Sequence, residues 1–153
     1  MNEPIVYESA IKSVNFGENV KIVQPVNMYG CEIGDNCFVG PFVEIQKDVT
    51  IGANTKIQSH TFICELVAIG SNCFIGHGVM FINDLFQNGG PARGDKNLWK
   101  STKINDHVSI GSNATILPVE ICSNVVIGAG SVVTKNITES GVYAGNPAKL
   151  IKK

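Results

Sequence analysis

Apolar residues recur at every sixth position through the middle of the chain. Ile33, Val39, Ile45, Ile51, Ile57, Ile63, Ile69, Ile75 and Phe81 follow one another without a break. Glycine comes next at Gly34, Gly40, Gly52, Gly70 and Gly76, and the fifth position of each hexad is small or apolar, from Cys37 and Val43 to Val79 and Leu85. A six-residue beat cannot keep one side of an α-helix apolar over this length. It suits a short strand with two inward residues, closed by a corner where Gly or Asn accepts unusual backbone angles. A longer period lies on top, since "IGDNC" at 33, "IGANT" at 51 and "IGSNC" at 69 recur every third hexad. Three hexads then make one turn of a triangular prism of parallel strands. No coil of such a repeat buries its apolar face alone, so stacking supplies the core.

Upstream, the beat continues through Val14, Val20 and Val26, with a seven-residue step to Ile33. Downstream it resumes at Ile104, Ile110 and Ile116, takes one step of five across "LPVE", and runs on through Ile121, Ile127 and Val133. Such slips read as small bulges at a corner. The expectation is one domain over 1–153, with coils over 14–137, a loop over about 86–101 that leaves the prism, and a polar tail over 138–153 outside the repeat. Whether Leu98 starts a hexad, and with it the face assignment after the loop, stays open.

The prism's 18-residue stacking places Lys47, Glu65 and Asn83 at the third position of hexads on one face, and Asp48, Leu66 and Asp84 at the fourth. Neighbouring strands lie ~4.8 Å apart, so Glu65, Asn83 and Asp84 gather at one corner of adjacent coils. His77 follows Ser59 at the third position of a different face, and His60 holds a fourth position on the coil below. Polar residues occupy corners in any solenoid and Asx residues start turns, so a structural role for each stands beside a chemical one.

Composition narrows the classes. The chain has 12 basic and 13 acidic residues, a balance that argues against a broad electrostatic footprint for nucleic acid or anionic membrane. It holds no apolar run long enough to span a bilayer, and "MNEPIVYESAIK" lacks the basic start and apolar stretch of a signal peptide, which leads us to expect the cytoplasm. Five cysteines without a CxxC pair read as buried thiols in a reducing compartment, not as a disulfide or metal framework.

The hexapeptide pattern resembles the left-handed parallel β-helix proteins, whose hand is an exception to the usual right-handed crossover. That family is dominated by acyltransferases that use acyl-CoA and work as trimers with sites between neighbouring prisms. "IQSHTFICELVAIGSNCFIGHGVMFIND" together with "GGPARGDKNLWKSTKI" resembles the sugar-nucleotide 3-N-acetyltransferases. Those enzymes acetylate dTDP-3-amino-3,6-dideoxyhexoses, precursors of surface polysaccharides such as lipopolysaccharide. The close, "VVIGAGSVVTKNITESGVYAGNPAKLI", resembles the CoA-binding end shared by the wider family. The resemblance implies an all-β, left-handed parallel β-helix with one extended loop. It also implies a homotrimer with intersubunit sites, acetyl-CoA as co-substrate, a nucleotide-sugar substrate and no metal.

Amide formation at a sugar amine needs a carboxylate to hold the ammonium, an acceptor to orient the amine, and a group to take a proton. By the resemblance, Asp84 and Glu65 suit the holding role, Asn83 the orienting role and His77 that of a base, with His60 beside the substrate. In the loop, Arg93 and Lys96 are placed to meet a diphosphate and Trp99 a ring face or a neighbouring subunit. The alternative is a loop that only packs on the next prism. Small residues at Gly128, Ala129, Gly130 and Ser131 would let a pantetheine arm lie against the backbone, with Lys135 and Lys149 reaching CoA phosphates.

Two rival readings stand. Sugar O-acetyltransferases of this fold carry a His close to the loop, where this chain has Asn83 and Asp84. No His occurs between 78 and 106, which favours an amine, but His77 keeps a hydroxyl acceptor open. Trimeric zinc carbonic anhydrases of the fold hold their metal with three His, and here His60, His77 and His107 would have to serve.

Overall fold

A computed structural model describes residues 3–153. Short parallel strands build a left-handed β-helix with three faces. Face I runs from Ile11–Lys12 through Glu44–Ile45, Phe62–Ile63 and Met80–Phe81 to Val132–Val133. Face II runs from Asn15–Phe16 through Thr50–Ile51, Val67–Ile69 and Thr102–Ile104 to Glu120–Ile121. Face III begins at Lys21–Ile22 and includes Lys56–Ile57, Phe74–Ile75, Ser109–Ile110 and Val125–Ile127. The chain visits the faces in the order I, II, III, so each edge stacks one corner per coil. Register follows the repeat, with Ile33 opposite Ile51 and Ile51 opposite Ile69.

Each strand sends two residues inward. One row holds Ile45, Ile57, Ile63, Ile75 and Phe81; the other holds Cys37, Val43, Val49, Thr55, Thr61 and Cys73, all buried. The polar members of the second row are satisfied. Thr55 Oγ1 donates to the Gly70 carbonyl at 3.0 Å and Thr61 Oγ1 to that of Gly76 at 2.9 Å. Cys31, Cys37, Cys64 and Cys73 are buried free thiols and Cys122 is half-buried. Burial pushes the Cys31 thiol up to about 11 and the Cys64 thiol up to about 12, which keeps both protonated and unreactive.

The corners turn on a left-handed residue. Edge II–III uses Asn19, Asn36, Asn54, Asn72, His107 and Asn124, and edge III–I uses Phe42, His60, Gly78, Asn113 and Gly130. Ser13, Gly30, Asp48 and Leu66 do the same on edge I–II. The glycines that follow the inward isoleucines serve another purpose. A Cβ at Gly52 would lie 2.5 Å from the Gly70 carbonyl carbon and 2.6 Å from the Ser71 nitrogen, so glycine is required there by the closeness of the next coil.

Three expectations change. Upstream, Met28 pairs with Ile45 and Ile22 with Val39, so Val14, Val20 and Val26 belong to the row of Cys31, Cys37 and Val43. Both rows are apolar and two residues apart, and the period-2 alternation of a strand makes them indistinguishable by pattern. The slip there is therefore a five-residue step from Met28 to Ile33, matched by Ile116 to Ile121. Both shorten edge I–II by one corner residue, where bulges were expected. Finally, the tail, though outside the hexad pattern, stays on the prism. Gly141–Ala144 adds to Val125–Ile127 in parallel register, and Lys149–Lys152 folds back antiparallel on it, closing face III. The first strand of this pair is half-buried along its length and the second is exposed, so neither shows the alternation of a hexad.

The coil spacing makes a prediction. Gly52→Ala should lower stability by about 1–3 kcal/mol, because its methyl group meets backbone that cannot yield. Gly90→Ala, where an added Cβ meets nothing within 4 Å, should leave the urea midpoint unchanged. Equal midpoints for the two variants would refute the spacing argument.

Candidate active site

The loop leaves the prism where the left-handed column on edge I–II is interrupted. Asp84 stacks one coil above Leu66 but forms an isolated antiparallel bridge with Trp99 instead of turning the corner. Its carboxylate then organises the departing chain. Oδ1 accepts from the Phe86 amide at 2.9 Å and Oδ2 from the buried Ala92 amide at 2.7 Å. Asp95 caps the short 3-10 turn Lys96–Leu98 by accepting from the Asn97 amide. The chain returns as the Lys100 amide donates to the Asn83 carbonyl at 2.9 Å and the Thr102 amide to that of Leu66 at 3.1 Å. Ile104 then pairs with Ile69, so the loop joins face I to face II and Leu98 is not a hexad start.

Under the loop lies a cavity of about 640 Å³, lined by Phe62, Phe81, Glu65, Asn83, Asp84 and Trp99 among others. The stacking deduced for Glu65, Asn83 and Asp84 is present. Asn83 Nδ2 donates to the Glu65 carbonyl at 3.2 Å. The Glu65 side chain is only 14% exposed, and its carboxylate is ion-paired with Lys96 Nζ. That ammonium sits 5.4 Å from the centre of the Trp99 ring, and its hydrogen bond to Glu65 holds its pKa above the usual lysine value. One coil below, Gln46 Oε1 accepts from the Glu65 amide at 3.3 Å while its Nε2 donates to Glu44 at 3.0 Å. Burial, and then the charges of Glu44 and Glu65, raise the Tyr29 hydroxyl on the same edge.

The remaining expected residues fall elsewhere. His77 and His60 occupy edge III–I. Ser59 Oγ and His77 Nδ1 share a hydrogen bond of 2.8 Å, and the His60 ring stacks on Phe42 at 4.8 Å between centroids. Gly128, Ala129 and Gly130 form the corner of this same edge two coils above His77, through the chain of bonds from Asn113 to His77 and from Gly130 to Ser112. Ser131 is buried, with its Oγ accepting from the Gly145 amide at 3.2 Å. Arg93 is exposed in the loop, Lys135 is exposed just past the strand Val132–Val133, and Lys149 begins the closing strand. Thus Glu65, Asn83, Asp84 and Trp99 line one edge of face I, and His77 with the Gly128–Ser131 corner lines the other. Six residues of extended chain separate them, roughly 20 Å at strand rise.

His107 belongs to a third edge, among the asparagines of II–III, so the three histidines do not converge within one chain. Among the described residues, no three His, Cys, Asp or Glu side chains are placed to hold a metal ion. Sequence reasoning missed the pairing of Lys96 with Glu65 and the support from Gln46. Lys96 lies outside the repeat, so no spacing argument reaches it.

Comparison with known proteins bears on the repeat and the fold. Residues 30–65 match the bacterial transferase hexapeptide model (six repeats), and 101–135 match the hexapeptide repeat of succinyl-transferase. Both models describe hexapeptide repeats, and both matched stretches lie within the coils of the β-helix. The chain is 30% identical over 151 residues to the bifunctional protein GlmU of Streptococcus uberis, covering 97% of this chain and 30% of that protein. The chain therefore spans about a third of the length of the curated relatives it matches. Among solved structures it resembles AntD, an N-acyltransferase from Bacillus cereus in complex with dTDP and coenzyme A. Identity there is 25% and the TM-score 0.80, covering 90% of this chain and 82% of that one. It also resembles a hexapeptide-repeat acetyltransferase from Vibrio cholerae O1 biovar eltor complexed with acetyl-CoA. That match has 25% identity and a TM-score of 0.68, over 80% of this chain and 70% of that one.

The carboxylate of Asp84 can be tested as the loop's anchor. Asp84→Asn keeps the shape but turns one acceptor into a donor facing a backbone N–H, a mismatch of about 1–3 kcal/mol. Hydrogen exchange at Phe86 and Ala92 should accelerate at least tenfold while core amides near Ile63 keep their protection. Unchanged exchange at both loop amides would show that the carboxylate does not hold the loop.

Proposed function

We propose that this chain transfers an acetyl group from acetyl-CoA to the 3-amino group of a nucleotide-linked 3-amino-3,6-dideoxyhexose, in the making of surface-polysaccharide precursors. The observation that carries the reading is the cavity at edge I–II, where the largely buried Glu65 carboxylate and the Trp99 ring share the lining and both meet the Lys96 ammonium. A carboxylate beside an aromatic face is the chemistry that seats a primary ammonium. The resemblance to an N-acyltransferase bound to dTDP and coenzyme A supports both substrates. Likeness to an acetyl-CoA complex supports acetyl as the group transferred.

In this mechanism Glu65 holds the ammonium and the Asn83 side chain orients the nitrogen. Asp84 shapes the cavity with two of its lone pairs and has others left for the substrate. Acetyl-CoA lies along edge III–I, its pantetheine arm over Gly128–Ser131 and its phosphates near Lys135 and Lys149. His77, its Nδ1 engaged by Ser59, presents Nε2 as the base. His77 takes one proton from the ammonium, the neutral amine attacks the thioester carbonyl carbon, the C–S bond breaks, and the departing thiolate takes the second proton from the nitrogen. The two halves lie on different edges of face I in one chain. A homotrimer resolves this by setting edge I–II of one copy against edge III–I of the next, with Arg93 beside the diphosphate and His60 flanking the site.

The test is a panel of amino-sugar nucleotides with acetyl-CoA, read by thiol release. Asn83→Ala and Asp84→Ala should each lower turnover about a hundredfold, through lost positioning, while acetyl-CoA affinity is unchanged. Wild-type turnover in both variants would remove the site assignment, and a monomer in sedimentation would remove the shared site.

A second reading has one observation in its favour. The Ser59–His77 hydrogen bond leaves Nε2 free as a base, the group a sugar hydroxyl acceptor would need. Thiol release with hydroxyl acceptors only, abolished in His77→Ala, would establish it.

A further inference from the structure

The seat assigned to the substrate's ammonium already holds one. Lys96 Nζ is ion-paired with Glu65 Oε2 and lies over the ring of Trp99, the two groups that the proposed function gives to the amino sugar. The backbone around Lys96 is tied down. Asp84 accepts from Phe86 and Ala92, Asp95 caps the turn, and the Lys100 amide returns to Asn83. The Lys96 side chain is not; half of it is exposed, against 14% for Glu65. A long, flexible side chain on a fixed loop can leave its partner without moving the loop.

We propose that Lys96 is a built-in competitor for the acceptor amine: its ammonium fills the Glu65–Trp99 seat in the free protein and must be displaced by the ammonium of the sugar. This rests on the reading of Glu65 as the amine's partner. It deepens that reading by naming what sets the choice of amine over hydroxyl. An incoming ammonium replaces one charge-assisted hydrogen bond and one cation–π contact with equivalents. A hydroxyl offers Glu65 no charge, so displacing Lys96 for it leaves the buried carboxylate uncompensated. The seat thus discriminates against hydroxyl sugars before any chemistry occurs. With the free form mostly closed by Lys96, acceptor affinity is reduced by the open fraction, and removing the competitor restores it.

Trp99 is the single tryptophan of the chain and reports on this seat directly. The experiment titrates the full-length protein, without acetyl-CoA, with dTDP-3-amino-3,6-dideoxyhexose and with its 3-hydroxy counterpart, following Trp99 emission. The amino sugar should carry wild-type emission to the level of unliganded Lys96→Met, and the hydroxy sugar should not. Lys96→Met should bind the amino sugar about three- to tenfold more tightly and lose much of its preference over the hydroxy sugar. Glu65→Gln should show the Lys96→Met emission but lose amino-sugar binding. Weaker amino-sugar binding by Lys96→Met would show that Lys96 only braces the loop, and would overturn the proposal. So would an equal emission change with the hydroxy sugar. Thiol release in the presence of acetyl-CoA is measured separately. Binding with displacement but no thiol release leaves this inference standing and refutes acetyl transfer, whereas no binding by either sugar overturns both.

Discussion

The coils of this molecule depend on the left-handed residue that turns most of their corners. A coil closes only if the chain bends sharply at three points. L-residues other than Asn and Gly resist the required conformation by roughly 1–2 kcal/mol each. The cost is offset by the coils themselves. The amides of most turning residues donate to the coil below, as Asn54 does to Asp35 and Asn72 to Ala53, both at 2.8 Å. Those bonds lock the vertical spacing, and that spacing is what forbids a side chain at Gly52. Corner conformation, coil contact and core burial are therefore one cooperative unit.

The proposed chemistry grows out of the place where this unit opens into the loop. At edge I–II the coils below turn at Gly30, Asp48 and Leu66, whereas Asp84 bridges to Trp99 and releases the chain into the loop. The same edge absorbs the five-residue steps, Ile11 to Phe16 as well as Met28 to Ile33 and Ile116 to Ile121, so it is the tolerant edge of the prism. A rigid stack beneath and a loop pinned by the Asp84 carboxylate leave a cavity whose charged wall, Glu65, is fixed by Gln46 and Asn83. The Lys96 side chain is the exposed member of this set, and the inferred competition uses that contrast.

The faces of the prism are spent on packing, which leaves the edges and the loop for chemistry. Glu65 and Asn83 line one edge of face I and His77 the other, with a strand between them too stiff to bring them together. In a fold without hinges, a reaction that needs both edges has to be assembled by packing one prism against another. No helix among the described residues is long and apolar enough to cross a membrane.

The regular part of the structure was legible in the sequence because a six-residue strand-and-corner unit repeats its own physics. The inward rows from Ile33 to Phe81, the corner asparagines and the vertical stack of Lys47, Glu65 and Asn83 all follow from counting. Counting failed where the period was masked or absent. Val26 and Met28 are both inward and apolar, so only strand pairing revealed which belongs to which row. The closing pair of strands, one half-buried and one exposed throughout, shows no beat. The loop has no period at all, so the fit of Lys96 to Glu65 and Trp99, the two oxygens of Asp84 on the Phe86 and Ala92 amides, and the return of Ile104 to Ile69 emerged only in three dimensions. The sequence by itself determined the prism and the column in which its polar corner residues stand, because those depend on local conformation and a fixed rise per coil. Only the tertiary structure decided what each corner residue touches, because contacts across a loop depend on where the chain comes back.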